Sequence, residues 1–218
     1  MRHLLAITTV LAGMTVTGCE RVGQGGVRGS GISRTESRDV DPFHELELEG
    51  TGQLDVTIGP QEPVKITTDD NLLPLISTVV QEGKLVIRPT QPLRPRINIR
   101  AKVVVPQLDR VTCRGAGRVT AEGLKNEALR VEVHGSGTVT AQGETEKLSV
   151  MTKGTGVINA EELVAQHVNI SLTGTGSAAV HASDTLTVSI TGAGSVRYTG
   201  EPKVDQQIVG VGSVSRKR

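Results

Sequence analysis

Glycine pairs recurring at a nearly fixed step constrain this chain more than any other feature. Gly115-Ala-Gly117, Gly135-Ser-Gly137, Gly154-Thr-Gly156, Gly174-Thr-Gly176, Gly192-Ala-Gly194 and Gly210-Val-Gly212 follow one another at steps of 20, 19, 20, 18 and 18 residues. A period in this range denotes stacked units, each too small to bury its own apolar face and dependent on its neighbours for a core. Such a scaffold presents long faces and two ends, so function is sought there.

The residues around each triplet alternate. Two, four and six positions before the first glycine stand apolar residues, Leu129, Val131 and Val133 in one repeat and Leu186, Val188 and Ile190 in another. The pattern resumes two and four positions after the second glycine, as in Val119 and Ala121, Val139 and Ala141, Ile158 and Ala160. Between them lie polar residues such as Arg130, Glu132, His134, Thr138 and Thr140. Period-two alternation on both sides of a glycine pair predicts strand, tight turn, strand, with glycine supplying positive φ. Each repeat then traces a path of roughly 60 Å, one turn of a flattened coil, with equivalent strands about 4.8 Å apart. The predicted fold is an all-β parallel β-helix. Its innermost column runs Cys113, Val133, Thr152, Leu172, Ile190, Ile208. A narrow interior of small aliphatics accounts for an aromatic content of only 1%.

Before the repeats, Leu46, Leu48, Gly50-Thr51-Gly52, Leu54, Val56 and Ile58 obey the same template and predict a first coil. The stretch to Gln107 is less regular. Asp69-Asp70-Asn71 ahead of Leu72, Leu73, Leu75 and Ile76 predicts a short capped helical turn interrupted by Pro74. Val79 to Ile87, with Glu82-Gly83-Lys84 at its centre, predicts a hairpin, and Ile97 to Val105 a strand stopped by Pro106. Arg88, Arg94, Arg96, Arg100 and Lys102 form the densest basic cluster. It reads as solvated protection of a strand edge, with anion binding as the alternative.

The N-terminus is a targeting segment. Arg2 supplies a positive n-region, and Leu4 to Val16 an apolar stretch too short to span a bilayer. It ends in Val16-Thr17-Gly18-Cys19, which resembles the bacterial lipobox, so Cys19 is expected to be lipidated and to become the mature N-terminus. Two or three acyl chains give stable anchoring. Glu20, rather than aspartate, after the cysteine points to the outer membrane, on either its periplasmic or its surface side. The expected organisation is a signal peptide at 1–18, a lipidated cysteine and glycine-rich tether at 19–37, and a folded domain at 38–218. Within that domain, 38–107 is irregular and 108–215 regular. With Cys19 lipidated, Cys113 has no disulfide partner and is read as a core residue.

The arrangement resembles a known family. Arg38-Asp39-Val40-Asp41-Pro42-Phe43-His44-Glu45-Leu46, then Asp69-Asp70-Asn71-Leu72, then Val105-Pro106-Gln107-Leu108 leading into the triplets is similar to the head GIN domain family of auto-transporter adhesins. Gly192-Ala193-Gly194-Ser195-Val196-Arg197-Tyr198-Thr199-Gly200-Glu201-Pro202 looks like that family's C-terminal repeat. The resemblance covers about residues 38 to 215 and implies a right-handed parallel β-helix, grouped with pectin-lyase-like folds but lacking their catalytic residues. Cell adhesion is the function it suggests. Under it, Gly50, Gly52, Gly115, Gly117, Gly135, Gly137, Gly154, Gly156, Gly174, Gly176, Gly192, Gly194, Gly210 and Gly212 are structural turn residues.

Chemistry is sparse. After removal of residues 1–18, whose only charged residue is Arg2, 23 basic face 23 acidic residues. There is no basic stripe with interleaved aromatics, which disfavours nucleic acid. His134 is expected on an outer face between Arg114 and Lys153, where two cations oppose a metal. His181, Ser183 and Asp184 are too close in sequence to arrange a hydrolytic triad. Glu132, Asp205, Glu161 and Glu162 do not share a column, and sugar stacking has only Phe43 and Tyr198 to draw on, the latter expected to cap the core. No catalytic residue, cofactor or metal is expected. The leading functional expectation is a non-catalytic lipoprotein, anchored through its N-terminal lipid and presenting a β-helix to a protein or glycan of the envelope. The alternative is a degenerate carbohydrate-active β-helix. Arg216-Lys217-Arg218 would place positive charge where two C-terminal ends meet, so the expected state is a monomer or a weak oligomer joined laterally.

Overall fold

The computed structural model describes residues 25–217, and the leader, Cys19 and Arg218 lie outside the described residues. In chain order, β1 (Val27–Arg28) and β2 (Ser33–Arg38) precede a first coil of β3 (Glu45–Gly50) and β4 (Gln53–Ile58). Next come β5 (Val64–Asp69), a 3-10 turn at Leu73–Leu75, β6 (Ile76–Gln81), β7 (Lys84–Pro89), β8 (Leu93–Arg94) and β9 (Arg100–Val105). This excursion does not lengthen the solenoid in sequence order. It folds beneath the first coil, β7 pairing in parallel with β3 and β9 in parallel with β4. Below that layer the pairing turns antiparallel, with β6 on β7, β5 on β9 and β2 on β5.

The chain then returns as β10 (Arg110–Gly115) on the other face of β3. Four nearly complete coils follow: β11 (Arg118–Gly135), β12 (Thr138–Gly154), β13 (Val157–Gly174) and β14 (Ser177–Gly192). They are succeeded by β15 (Ser195–Thr199), β16 (Lys203–Gly210) and β17 (Ser213–Arg216), all stacked in parallel. The inner column runs as the alternation predicts and extends downward. Ile87, Leu48, Cys113, Val133, Thr152, Leu172, Ile190 and Ile208 lie in consecutive register. All but Ile208, in the last coil, are buried. Steps of 18 to 20 residues are tolerated because register slips at one corner of each coil. These slips fall at Ala121/Leu124, at Thr140/Gly143, and at Ala160/Val164 with Ala165/His167, while the glycine turns stay aligned.

Ion pairs stitch the lower layers together on the outside. Glu47 receives Lys84 at 3.2 Å from the layer below and Arg114 from the layer above, and Arg110 reaches Glu45 at 3.2 Å. Burial would raise the Glu47 carboxyl's pKa, but the two cations hold it below the ordinary value. Arg38 closes the lower end of the core by donating to the carbonyls of Leu73 and Ile76 and to Thr78 Oγ1.

Several expectations need correcting. The Asp69-Asp70-Asn71 motif does not cap the helical turn, whose N-cap is Leu72 without a side-chain bond. It clamps the segment expected to be tether. The buried Asp69 carboxylate accepts the backbone N–H groups of Gly31 (2.7 Å), Arg96 (3.0 Å) and Ile97 (3.0 Å). Asn71 accepts from Ser30 N at 2.9 Å and donates to Arg28 O at 2.9 Å. A Cβ at Gly29 would lie 2.3 Å from the Asp69 carboxyl, which explains a glycine there. Residues 27–28 and 33–37, assigned to the tether, are therefore paired strands of the fold. The basic cluster does not protect an edge at Arg100 and Lys102, because β9 lies between β4 and β5. The two tail cations among the described residues are ion-paired. Arg216 reaches Glu201 at 2.9 Å and Lys217 reaches Glu161 at 2.7 Å.

The clamp predicts a pH dependence. Burial alone would raise the Asp69 pKa, but the N–H donors of Ile97, Gly31 and Arg96 lower it below the ordinary carboxylate value. A group depressed in the folded state stabilises it fully above its unfolded pKa, and this contribution is lost as pH falls through the folded value. Asp69→Asn turns an NH2 group towards these donors, so its melting temperature should fall below wild type at neutral pH. The gap should narrow as the medium is acidified below the usual carboxylate range. Thermal melts of both proteins across that range test it, and a gap independent of pH would refute the clamp.

Candidate functional site

Outward positions five and seven residues before the first glycine of each repeat form two adjacent columns on the upper coils. One reads Ala128, Lys147, His167, Thr185 and the other Arg130, Ser149, Asn169, Thr187. Strand alternation sends their neighbours Leu129, Leu148, Val168 and Leu186 into the core, so these side chains must face out. Together with the loop at Pro106, Gln107 and Asp109 they line an open groove of about 1010 Å³ that crosses the coils.

The lower end of the groove is tied down. Asn126 donates to Leu108 O at 2.8 Å and Ala128 O at 3.0 Å, while the Arg130 N–H reaches Asp109 O at 2.9 Å. With both amide protons used, Asn126 Oδ1 is left buried without a partner among the described residues. Gln107 occupies Asp109 at 2.7 Å. Further up, His167 Nδ1 is 2.9 Å from Thr185 Oγ1 and 3.4 Å from Asp184 Oδ2. Lys147 has no carboxylate within ion-pair reach among the described residues. The groove therefore offers donors and acceptors of both signs in register, without a concentrated charge.

The histidines and acids considered from sequence are dispersed. His181 bonds Thr199 Oγ1 at 2.9 Å, Ser183 donates to Ala165 O at 3.4 Å, and Asp184 turns to His167, so the three share no contact. His134 stands in register between Arg114 and Lys153, as predicted, and approaches Glu132 at 3.3 Å. Glu161 is engaged by Lys217, and Glu132 and Asp205 occupy different columns. Among the described residues no group of three or more His, Cys, Asp or Glu could hold a metal ion. The Cys113 thiol is buried and donates to Gly117 O at 3.5 Å; burial pushes its pKa up, as befits an inert core thiol. Tyr198 packs half-buried against the core in the last full layer. No helix among the described residues is long and apolar enough to cross a membrane. Cys19 lies outside the described residues.

The family model described as "Putative auto-transporter adhesin, head GIN domain" matches residues 42–202. The chain belongs to that family. As a GIN-family protein it shares its fold with solved structures of low sequence identity. A "putative adhesin" from Bacteroides fragilis superposes with a TM-score of 0.72 at 22% identity, over 88% of this chain and 100% of that one. A "putative lipid binding protein" from Parabacteroides distasonis gives 0.60 at 19%, over 89% and 100%. A "putative adhesin" from Parabacteroides merdae gives 0.59 at 22%, over 88% and 99%. No curated protein matches the sequence. The family places this GIN domain among adhesin-type proteins of the cell envelope or surface.

The groove escaped the sequence reading although its columns stand in the same repeat alignment. Its signal was the hydrogen-bonding character of the two outward positions over successive repeats. Alternation marks such positions only as solvent-facing, and the concavity comes from the corner and the Pro106–Asp109 loop, which no periodicity reports.

Proposed function

We propose that this GIN-family chain is a non-catalytic, lipid-anchored envelope adhesin whose lateral groove holds an extended polymer across several coils. The observation that carries this reading is the pair of polar columns. Equivalent side chains recur on four coils about 4.8 Å apart, a spacing suited to an extended chain lying across the strands. The engagement of His181, Asp184 and Glu161 in separate contacts supports a binding rather than a catalytic role. Cys19 supplies the anchor in this reading, and the glycine turns supply the rigidity that keeps the columns in register.

The double variant Lys147→Glu/Asn169→Ala should keep the wild-type melting temperature, since both side chains are exposed. Losing one charged and one neutral hydrogen-bonding contact should weaken partner binding by roughly tenfold or more. Screening wild type and variant against arrays of envelope glycans and extended peptides is the measurement. A partner bound equally by both proteins would remove the groove from the function.

A further inference from the structure

The lower end of the solenoid carries a concentration of positive charge that the groove does not use. Between Gly83 and Leu108 the sequence has no acidic residue. The structure gathers cations from three segments of this end. Arg28 on β1 stands in register beside Arg94 on β8. Lys65 on β5 stands directly opposite Lys102 on β9, and Arg100 lies opposite Thr67. Like charges directly opposite on neighbouring strands oppose folding, and this end holds two such pairs.

The acids nearby are few and mostly committed. Asp55 on β4 stands in register with Lys102 on its other side, without an ion pair among the described residues, and accepts from Gln53 Nε2 at 3.3 Å. Asp69 is buried under three N–H donors, and Asp70 takes Ser30 Oγ at 2.6 Å and Asn71 N at 2.7 Å. Glu62 reaches Lys65 at 3.5 Å. Arg96 donates to Ser30 O at 3.3 Å, whereas Arg100 and Lys102, both exposed, have no carboxylate within ion-pair reach among the described residues.

The chain enters the fold at this same end. The Val27 N–H donates to Pro92 O at 2.9 Å and the Gly29 N–H to Arg94 O at 3.0 Å, so the entry point lies against the Pro92–Arg96 loop. Only residues 20–26 separate Cys19 from β1, a reach of roughly 25–30 Å at full extension.

We propose that this basic outward face of the lower layers, centred on Arg100 and Lys102, docks on the anionic phospholipid headgroups of the membrane that carries the chain. Coulomb attraction at such a surface acts within a Debye length of about 8–10 Å, and each Lys or Arg near the surface adds to it. A short connection keeps the cations close to the bilayer and lets modest attraction fix an orientation. The inference rests on the anchored reading for the identity of the surface, not for the charge itself.

The test uses the chain from residue 20 onward, which lacks Cys19 but retains the whole core from Phe43 to Val196. It should sediment with phosphatidylcholine vesicles containing phosphatidylglycerol, stay in solution with phosphatidylcholine alone, and be released by high salt. Arg100→Glu/Lys102→Glu should cut vesicle partitioning by about tenfold or more, and the milder Arg100→Gln/Lys102→Gln should cut it less. Arg197→Glu/Lys203→Glu, near the opposite end, should leave it unchanged, with melting temperatures confirming that each variant folds. Absence of sedimentation with anionic vesicles, or equal partitioning by the Arg100/Lys102 variants, would overturn the proposal. Retention by polygalacturonate with no vesicle binding would reassign this end to an acidic glycan. Palmitate labelling of the full chain in cells tests the anchor separately, so either reading can fail while the other stands.

Discussion

Val133→Asp is expected to lower stability by roughly 3–5 kcal/mol, from lost apolar burial and the cost of placing a carboxyl in the core. In a domain of this size the melting temperature should fall by roughly 10 °C or more. Val133 is fully buried, with Cys113 in register below and Thr152 above. That column offers at most one free donor, the Thr152 hydroxyl, which is too little to satisfy an ionised carboxylate. Thr152 Oγ1 is itself buried and unpartnered, and the Cys113 thiol already donates to Gly117 O. The introduced carboxyl should therefore stay protonated at neutral pH, and the deficit should shrink on acidification. Thr138→Asp, on the outward side of β12 and in register with Arg118, should cost little. Melting temperatures for the two variants that fall together would contradict the inward and outward assignment.

The contrast between these positions was legible in the sequence because period-two alternation and the glycine step share one cause, the stacking of equivalent strands. Once one repeat is aligned, the register of every other follows, and the column from Cys113 to Ile208 appears as read. What lay outside that periodicity was not legible. The stretch from 59 to 107 reads as an insertion, yet it provides β7 and β9 as a parallel layer under the first coil. That arrangement depends on which free edge accepts the returning chain, and no local pattern encodes it. Asp69 illustrates the same limit at one residue. An acidic residue ahead of a leucine-rich turn carries the signature of a helix cap, but its partners Gly31, Arg96 and Ile97 lie 38, 27 and 28 residues away. Glycines at 29 and 31 look like flexible linker by composition, whereas Gly29 is required by the close approach of that carboxyl. The groove was half legible, its lining visible as columns and its concavity not.

The two glycines of each triplet do different jobs, and substituting them should show it. Gly154 has φ +119°, and a Cβ there would meet the backbone oxygen of Gly135 at 2.6 Å. Gly156 has no such backbone demand, but its Cβ would lie 2.3 Å from Val133 Cγ1 and 3.1 Å from Gly137 O. Gly154→Ala should cost roughly 3 kcal/mol or more, combining about 1–2 kcal/mol for the left-handed backbone with a clash against an immovable carbonyl. It would also disturb the turn ladder on both sides, where Thr155 N donates to Gly135 O and Thr175 N to Gly154 O, each at 2.9 Å. Gly156→Ala should cost roughly 1–3 kcal/mol by overpacking. Only the second defect lies against a side chain. Val133→Ala removes the atom that Gly156→Ala strikes, so the double variant should be more stable than the sum of the two single effects, by about 1 kcal/mol or more. Val133→Ala should give Gly154→Ala no such relief, because the obstacle there is main chain. Denaturant melts of the two cycles decide the matter. Equal coupling in both would mean that the paired glycines share a single role, and the separate steric accounts given for them would be wrong.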